Sequence, residues 1–556
     1  MDILYFALLV SVLIFVHELG HFVWAKIFGV KVLMFSIGFG PKLVRLRGRE
    51  TEYCIGLLPL GGFVKMLEEN RQEPVLPEDR PRTFEAQKLW KRVIIVLAGP
   101  AMNILFPVLL YLGVFLGESD FTPPTIGIVL PGHAADGKLR PGDRVLEIDD
   151  VHISTFAELR RVVGKHPGKD LHFKIFRDNE HVDVHITPEE RLIEKPFELV
   201  EREGSIGVMP NEPAAVVGVG EAASPAYRAG LRTFDRVTEV AGTPVETLAD
   251  LEAVVAQNKG ETVPVTYLRP VRVPDALGGL GEVSVYESGV AALTPEPTGA
   301  DMRVRTGMES ADLYVSEVEE RSAEWNAGLR PGDRITALGD HELVTWSMLV
   351  EKLDAAPERA HTLHWLRDGA RHSGTIELRR ESWTDEFGNA RVRFVMRTAH
   401  WLPTVQQPPA GGPSFWHYAL PSAIDETVDV VQFIVVGISR IVQGKVSLST
   451  LGGPIAVYDV VGQESAKGAS YFLWAMAVIS INLGLINLLP IPMLDGGHLL
   501  FFGIEAILRR PLPLRVREVA SFFGMVLLAA LMALALKNDV EKRWDIILAQ
   551  LKDLFG

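Results

Sequence analysis

Hydrophobic residues cluster into four long runs with few charges. Residues 3–30 (ILYFALLVSVLIFVHELGHFVWAKIFGV), Val93–Leu116, Tyr471–Leu489 and Ala520–Leu536 each approach the length of a membrane-spanning helix, which needs about 20 predominantly apolar residues. A cleavable signal peptide would carry cations ahead of the first run and a small-residue cleavage site behind it. Neither is present, and the first cations, Lys26 and Lys31, come at the far end. A fifth run, Val428–Val442, is shorter and includes Asp429, Gln432 and Arg440. That mixture predicts an amphipathic helix lying in the interface. Segment 34–66 alternates apolar and polar residues around Gly38, Gly40, Gly61 and Gly62, the period of paired hairpin strands.

Lysine and arginine in the short loops set the orientation. Lys31, Lys42, Arg45, Arg47, Arg49, Lys65, Lys88, Lys91 and Arg92 lie between the first two spans, and Arg509, Arg510, Arg515 and Arg517 between the last two. Both connections are therefore expected in the cytoplasm. The segment from about 118 to 420 is then extracytoplasmic.

One pattern recurs in that segment, as Leu139-Arg140-Pro141-Gly142-Asp143-Arg144-Val145, Leu231-Arg232-Thr233-Phe234-Asp235-Arg236-Val237 and Leu329-Arg330-Pro331-Gly332-Asp333-Arg334-Ile335. Each copy is a turn signal leading into a β-rich stretch and then a helical one. The spacing of about 95 residues fits one small domain per copy. The repeats resemble the PDZ family, in which a sheet edge captures an extended peptide or a C-terminus by strand addition. The second copy departs from the pattern: Phe234 replaces the turn glycine, and the glycine-rich stretch Gly204–Gly220 precedes it.

Composition narrows the function. The 556 residues are 47% hydrophobic and 23% charged, with a formal charge of −14 and a mean hydropathy of +0.17. Such a balance suits membrane segments averaged with polar domains, and it argues against nucleic acid, which needs a basic footprint. Cys54 is the single cysteine, so there is no intramolecular disulfide and no cysteine-rich zinc site. Any metal must be held by His, Asp or Glu.

The first span contains His17-Glu18-Leu19-Gly20-His21. Positions i and i+4 share a helix face, so both imidazoles can reach one ion while Glu18 addresses a water on it. Ionisable groups at membrane depth are costly and usually mark function. Two histidines are one short of the three protein ligands usual for catalytic zinc. Asn487-Leu488-Leu489-Pro490-Ile491-Pro492-Met493-Leu494-Asp495-Gly496-Gly497 supplies a candidate in Asp495. Its prolines and glycines interrupt the helix, and irregular backbone survives at that depth only beside protein or water. At about 1.5 Å per residue, His17 and His21 fall roughly 20–27 Å from the outer end of their span. Asp495 falls at the cytoplasmic end of its own. Asn103 reads as an interhelical hydrogen bond, and His498 as structural.

These residues carry a second resemblance. The chain is similar to the site-2 protease family of intramembrane zinc metalloproteases, in its bacterial RseP-type branch. Further matches are Phe84, Lys88, Arg92, Ala98-Gly99-Pro100-Ala101-Met102-Asn103 and Leu451-Gly452-Gly453-Pro454-Ile455. A third PDZ-like copy departs from the two that are familiar in that branch. The fold class expected is a polytopic α-helical membrane protein with four transmembrane helices and a membrane-associated β-hairpin sheet. Extracytoplasmic PDZ-like α+β domains are inserted into it. The domains expected are 1–117 (first two spans and the hairpin), 122–190, 204–295 and 300–395 (PDZ-like), 414–450 (interfacial helix) and 451–556 (last two spans and tail).

The resemblance implies that His17, His21 and Asp495 bind Zn2+ and that Glu18 is the general base. Zinc acidifies water and polarises the scissile carbonyl, and a base at that depth needs an aqueous channel, expected on the cytoplasmic side. Asn487, Pro490 and Pro492 would contact the substrate backbone. The sheet carrying Gly38 and Gly40 would unwind the substrate by adding it as a strand. The implied partners are single-span membrane proteins such as anti-sigma factors, cut after a first extracytoplasmic cleavage, with the lipid bilayer and peptide C-termini at the PDZ-like domains. The implied location is the bacterial inner membrane. The residues leave open two alternatives, a protease clearing remnant signal peptides and a catalytically inactive scaffold.

Overall fold

The computed structural model describes residues 2–67, 75–117, 121–195, 199–273, 283–384, 390–407 and 415–544. Residues 545–556, the end of the 451–556 segment expected to hold the last two spans and tail, lie outside them. The helices are α1 (Asp2–Ile27), α2 (Leu89–Gly117), α3 (Phe156–Gly164), α4 (Pro225–Arg228), α5 (Leu248–Gln257), α6 (Met302–Thr306) and α7 (Ala323–Ala327). They continue as α8 (Trp346–Asp354), α9 (Leu420–Val442), α10 (Pro454–Lys467), α11 (Ala469–Asn487), α12 (Asp495–Leu508) and α13 (Leu514–Lys542). The chain divides into two compact units, one holding residues 1–118 and 413–556, the other 119–384 and 390–412.

In the first unit, α1, α2, α11 and α13 are long and apolar enough to cross a membrane. Small residues let three of them approach closely, the usual route to helix packing where lipid removes the hydrophobic drive. A Cβ at Gly20 of α1 would stand 2.3 Å from the Ala98 carbonyl of α2, and one at Gly484 of α11 would stand 2.9 Å from the Pro100 carbonyl. Leu9, Leu13, Tyr111, Met476 and Ile481 fill the core among these helices. The amphipathic α9 is longer than the run that predicts it and joins the same cluster through Ala423. Only a small share of α13 is buried.

The segment after α1 forms two strands, β1 (Val32–Arg47) and β2 (Glu52–Met66). Residues 32–37 pair with 62–66, and 42–47 pair with 52–56. The strand must bend between these pairings. Gly38 (φ +86°) and Gly40 (φ +82°) take the left-handed backbone that the bend requires, at no Cβ cost.

The second unit repeats one architecture. Its three four-stranded sheets have the same order, built on Arg144–Ile148 and Leu171–Arg177 in the first, Arg236–Val240 and Val263–Val273 in the second, and Arg334–Leu338 and Ala360–Arg367 in the third. Threonines 155, 247 and 345 cap α3, α5 and α8 in turn. The aspartate of each recurring turn is buried and clasped by an arginine 34 residues later: Asp143 by Arg177, Asp235 by Arg269 and Asp333 by Arg367.

The departures of the second copy have a packing reason. Phe234 holds the left-handed conformation (φ +74°) that Gly142 and Gly332 hold in the other copies. Its ring meets Trp401 edge-on, with centroids 6.2 Å apart. A Cβ at Gly218 would stand 2.1 Å from the Tyr314 ring, so that glycine makes room for a tyrosine opening the third copy. Burial pushes the Tyr314 phenol upward in pKa, and it donates to Glu309 Oε1 at 2.8 Å.

Candidate metal centre

His17 and His21 sit one turn apart on α1, and their Nε2 atoms are 3.2 Å from each other. Asp495 opens α12, where the positive end of the helix dipole favours a carboxylate. Its Oδ2 lies 3.2 Å from His17 Nε2 and 3.6 Å from His21 Nε2. The turn before it is tightly drawn. A Cβ at Gly496 would stand 2.2 Å from the Leu489 carbonyl, and one at Gly497 would stand 2.5 Å from that of Ile491. Two consecutive glycines are thus needed for α12 to begin against the loop that precedes it. Gly524 of α13 packs as closely on the Pro492 carbonyl.

Three donor atoms at these separations form the base of a tetrahedron. Tetrahedral zinc with bonds of about 2.0–2.1 Å sets its donors roughly 3.3–3.4 Å apart. The observed edges are 3.2, 3.2 and 3.6 Å, and two imidazoles with one carboxylate are a zinc donor set. Among the described residues this is the one group of three such side chains placed to hold a metal ion.

The outer nitrogens of both imidazoles are occupied by α2. His21 Nδ1 lies 2.8 Å from the Ile95 carbonyl oxygen, and His17 Nδ1 lies 3.3 Å from the side-chain amide of Asn103. Pro107, which lacks an N–H, leaves the Asn103 carbonyl without its helical partner. Ser480 of α11 donates to that carbonyl at 2.8 Å.

A cavity of about 390 Å³ borders His17, Glu18, His21 and Asp495. That is room for several waters. Gly62, Phe63 and Val64 of β2 form one wall, and Glu85, Phe502 and Arg517 belong to another. Val64 lines the cavity together with Glu18. A Cβ at Gly62 would stand 3.1 Å from Glu18 Cγ, so this glycine brings the strand up to the acid. At that second wall, Arg92 bonds Glu85 (3.2 Å) and Glu505 (3.4 Å), while Arg517 bonds Glu85 (3.2 Å) and Glu505. These four alternating charges join α2, α12 and α13. Arg92 and Arg517, counted above among loop cations, are compensated inside the protein.

Of the residues singled out in the sequence, His17, Glu18, His21 and Asp495 come together at the cavity. Asn487, at the end of α11, and Pro490 and Pro492, in the following turn, are not among its lining residues. Gly38 and Gly40 lie in the bend of β1, and the strand stretch at the cavity is Gly62–Val64. The interhelical contact read for Asn103 is present, from α2 to His17 of α1, whereas nothing in the sequence pattern singled out Val64. Pro107, four residues later, separately marks the Asn103 backbone carbonyl as one in want of a donor.

The model of peptidase family M50 matches residues 5–531. The chain belongs to peptidase family M50. A putative zinc metalloprotease of Vibrio cholerae is 30% identical over 543 residues, covering 97% of this chain and 98% of that protein. The regulator of sigma-E protease RseP of Salmonella typhimurium is 29% identical over 542 residues, again 97% of this chain and 98% of that protein. Among solved structures, the PDZ domain of an SdrC-like protein from Listeria innocua matches 16% of this chain and 92% of that domain, at 17% identity and a TM-score of 0.13. This M50 peptidase is thus a polytopic membrane protein of the site-2 protease type. It is a zinc metalloprotease acting in intramembrane proteolysis.

Proposed function

We propose that His17, His21 and Asp495 hold the zinc, that Glu18 is the general base, and that the substrates are single-span membrane proteins such as anti-sigma factors. The single observation that carries this is the donor triangle, whose edges of 3.2, 3.2 and 3.6 Å suit tetrahedral zinc. When bound, zinc supplies Lewis acidity that polarises the scissile carbonyl. Glu18 takes the proton of the attacking water and delivers it to the departing amine. The cavity beside it provides the water.

A helical substrate hides its carbonyls in its own hydrogen bonds and must unwind before it can be cut. The Gly62–Val64 stretch of β2, which faces Glu18, is the edge we assign to pairing with the unwound segment. Gly38 and Gly40 serve by bending β1 so that residues 32–37 back that edge. The Asn487 side chain holds the substrate backbone, and Pro490 and Pro492 keep the neighbouring turn fixed.

The lysines and arginines of the two short connections favour a cytoplasmic side for the active site. The PDZ-like domains then lie outside the bacterial inner membrane, where they act as a size filter that admits substrates already trimmed. The three repeats differ in what stands between helix and final strand. In the first, a groove of about 190 Å³ runs between α3 (Leu159, Arg160, Val163) and Ile206–Val208. In the second, Met302 of α6 is buried in the core with Leu251, Val254 and Met308. In the third, His400 stacks on Trp346 with ring centroids 4.5 Å apart. We therefore assign capture of peptide C-termini to the first repeat.

The test is quantitative mass spectrometry of membranes carrying the wild-type chain or Glu18→Gln. Single-span proteins should accumulate in the variant while the protein remains inserted. An unchanged membrane proteome would refute the reading. For the size filter, fusing a folded domain to the outer end of an accumulated substrate should slow its cleavage.

A further inference from the structure

We propose that Asn103 is the positioning residue of His17, its side-chain carbonyl accepting the Nδ1–H of that imidazole. The inference rests on the reading above, that a metal sits against Nε2. Nε2 of His17 faces His21 Nε2 and Asp495 Oδ2, both 3.2 Å away. A neutral imidazole that offers a lone pair on Nε2 carries its hydrogen on Nδ1, and that hydrogen needs an acceptor.

Asn103 is wholly buried, and its amide nitrogen stands 3.3 Å from Nδ1. A donor facing a donor is untenable. The amide oxygen, meanwhile, is buried without a hydrogen-bond partner. The two ends of an amide have nearly the same shape, and half a turn about the terminal bond exchanges them. The turn sets the orphaned oxygen opposite Nδ1–H and makes a good bond from a repulsive contact.

The second imidazole supplies the parallel. His21 Nδ1 faces the Ile95 carbonyl oxygen at 2.8 Å, so it too presents Nε2 to the metal. Both rings are thus aimed from α2, one by a backbone carbonyl and the other by an amide carbonyl two turns further along. A role in helix packing alone would not require the side chain. The bond between α2 and α11 runs from Ser480 to the Asn103 backbone oxygen and survives any substitution at Asn103.

The experiment uses the full-length chain in detergent, stripped of metal and titrated with Zn2+ against a chromophoric chelator. Loss of an outer-shell partner typically weakens metal binding by about 10–100-fold. Asn103→Leu and Asn103→Ala should both show that loss, and Asn103→Asp, which keeps an acceptor, should bind within a few-fold of wild type. Co2+ absorption should shift in the first two variants and match wild type in the third. Ser480→Ala should leave the affinity unchanged. Should Asn103→Leu fail to fold, Asn103→Ala and Asn103→Asp still decide the matter. Wild-type affinity in Asn103→Ala or Asn103→Leu overturns the proposal, as does failure of a folded Asn103→Asp to restore binding. A wild-type chain that binds no Zn2+, or an Asp495→Ala variant that binds it equally well, sinks the underlying reading instead.

Discussion

Gly99 of α2 lies against the ring of His21 so closely that an added Cβ would stand 2.3 Å from Nε2 and 2.5 Å from Cε1. No side chain but hydrogen fits there while the imidazole keeps its place. Gly99→Ala should therefore turn His21 out of the donor triangle without adding or removing a charge. A displacement of about 1 Å at a catalytic centre can cost 100-fold in rate, and a loss of at least that size is expected. Zinc content by mass spectrometry should fall with it. Full activity with full zinc content would mean that His21 has another position from which to bind.

Metal removal should register as lost stability. A ligand that binds only the folded chain contributes RT ln(1 + [L]/Kd), about 2.7 kcal/mol at a hundredfold excess over Kd. A strong chelator should lower the unfolding temperature of the wild-type chain. Asp495→Ala should unfold at one temperature with or without the chelator. A chelator effect that persists in this variant would place the stabilising metal elsewhere.

Much of this centre was legible because its spacings are local. Four residues along a helix bring His17 and His21 to one face, and the Leu494-Asp495-Gly496-Gly497 turn announces a broken helix before any contact is known. Depth along the two spans pointed to Asp495, and an interhelical bond was expected at Asn103, but which atoms meet across elements was not legible. Whether the Asn103 side chain reaches His17 depends on how closely α1 and α2 approach, and Gly20 and Ala98 set that only once both helices are in place. Alternation in 34–66 signals strands, yet the stretch that meets Glu18 follows from a bend at Gly38 and Gly40, so Gly62–Val64 emerged only with the register. In the repeats, the local turn motif identifies Asp143, Asp235 and Asp333, while their arginine partners lie two strands away.

The alternating charges at the cavity wall predict a large penalty for breaking them one at a time. Arg517→Met leaves Glu85 and the nearly buried Glu505 sharing Arg92 alone. Removing one member of a buried ionic network typically costs about 3–5 kcal/mol. Because so little of α13 is buried, the loss should appear as freer proteolysis and faster hydrogen exchange near Leu514. Arg517→Met with Glu505→Gln restores the charge balance and should recover much of the stability. If the double variant is no better than the single one, the ring is not an electrostatic unit.

Phe234 and Trp401 allow strain and packing to be weighed against each other. A residue with a Cβ in the left-handed region costs about 1–2 kcal/mol, which a glycine at this turn would avoid. Phe234 instead packs with Trp401 and Val405 against Ala214, Val216 and Ala311. An aromatic pair adds about 0.5–1.5 kcal/mol beyond the area it buries. Phe234→Ala keeps the strain and loses the contact, so the second unit should lose about 2 kcal/mol, less than the roughly 3–5 kcal/mol of a fully buried aromatic because this ring is only partly buried. Phe234→Gly loses the same contact but relieves the strain, and should be the more stable variant by about 1 kcal/mol. Combining Phe234→Ala with Trp401→Ala should cost less than the sum of the two alone, since each single change already removes the shared contact. Thermal unfolding with hydrogen exchange over 212–219 and 398–405 reads all four chains. A strictly additive double variant, or an alanine variant at least as stable as the glycine one, would separate the turn from the role assigned to it in joining the second copy to the strands around Trp401.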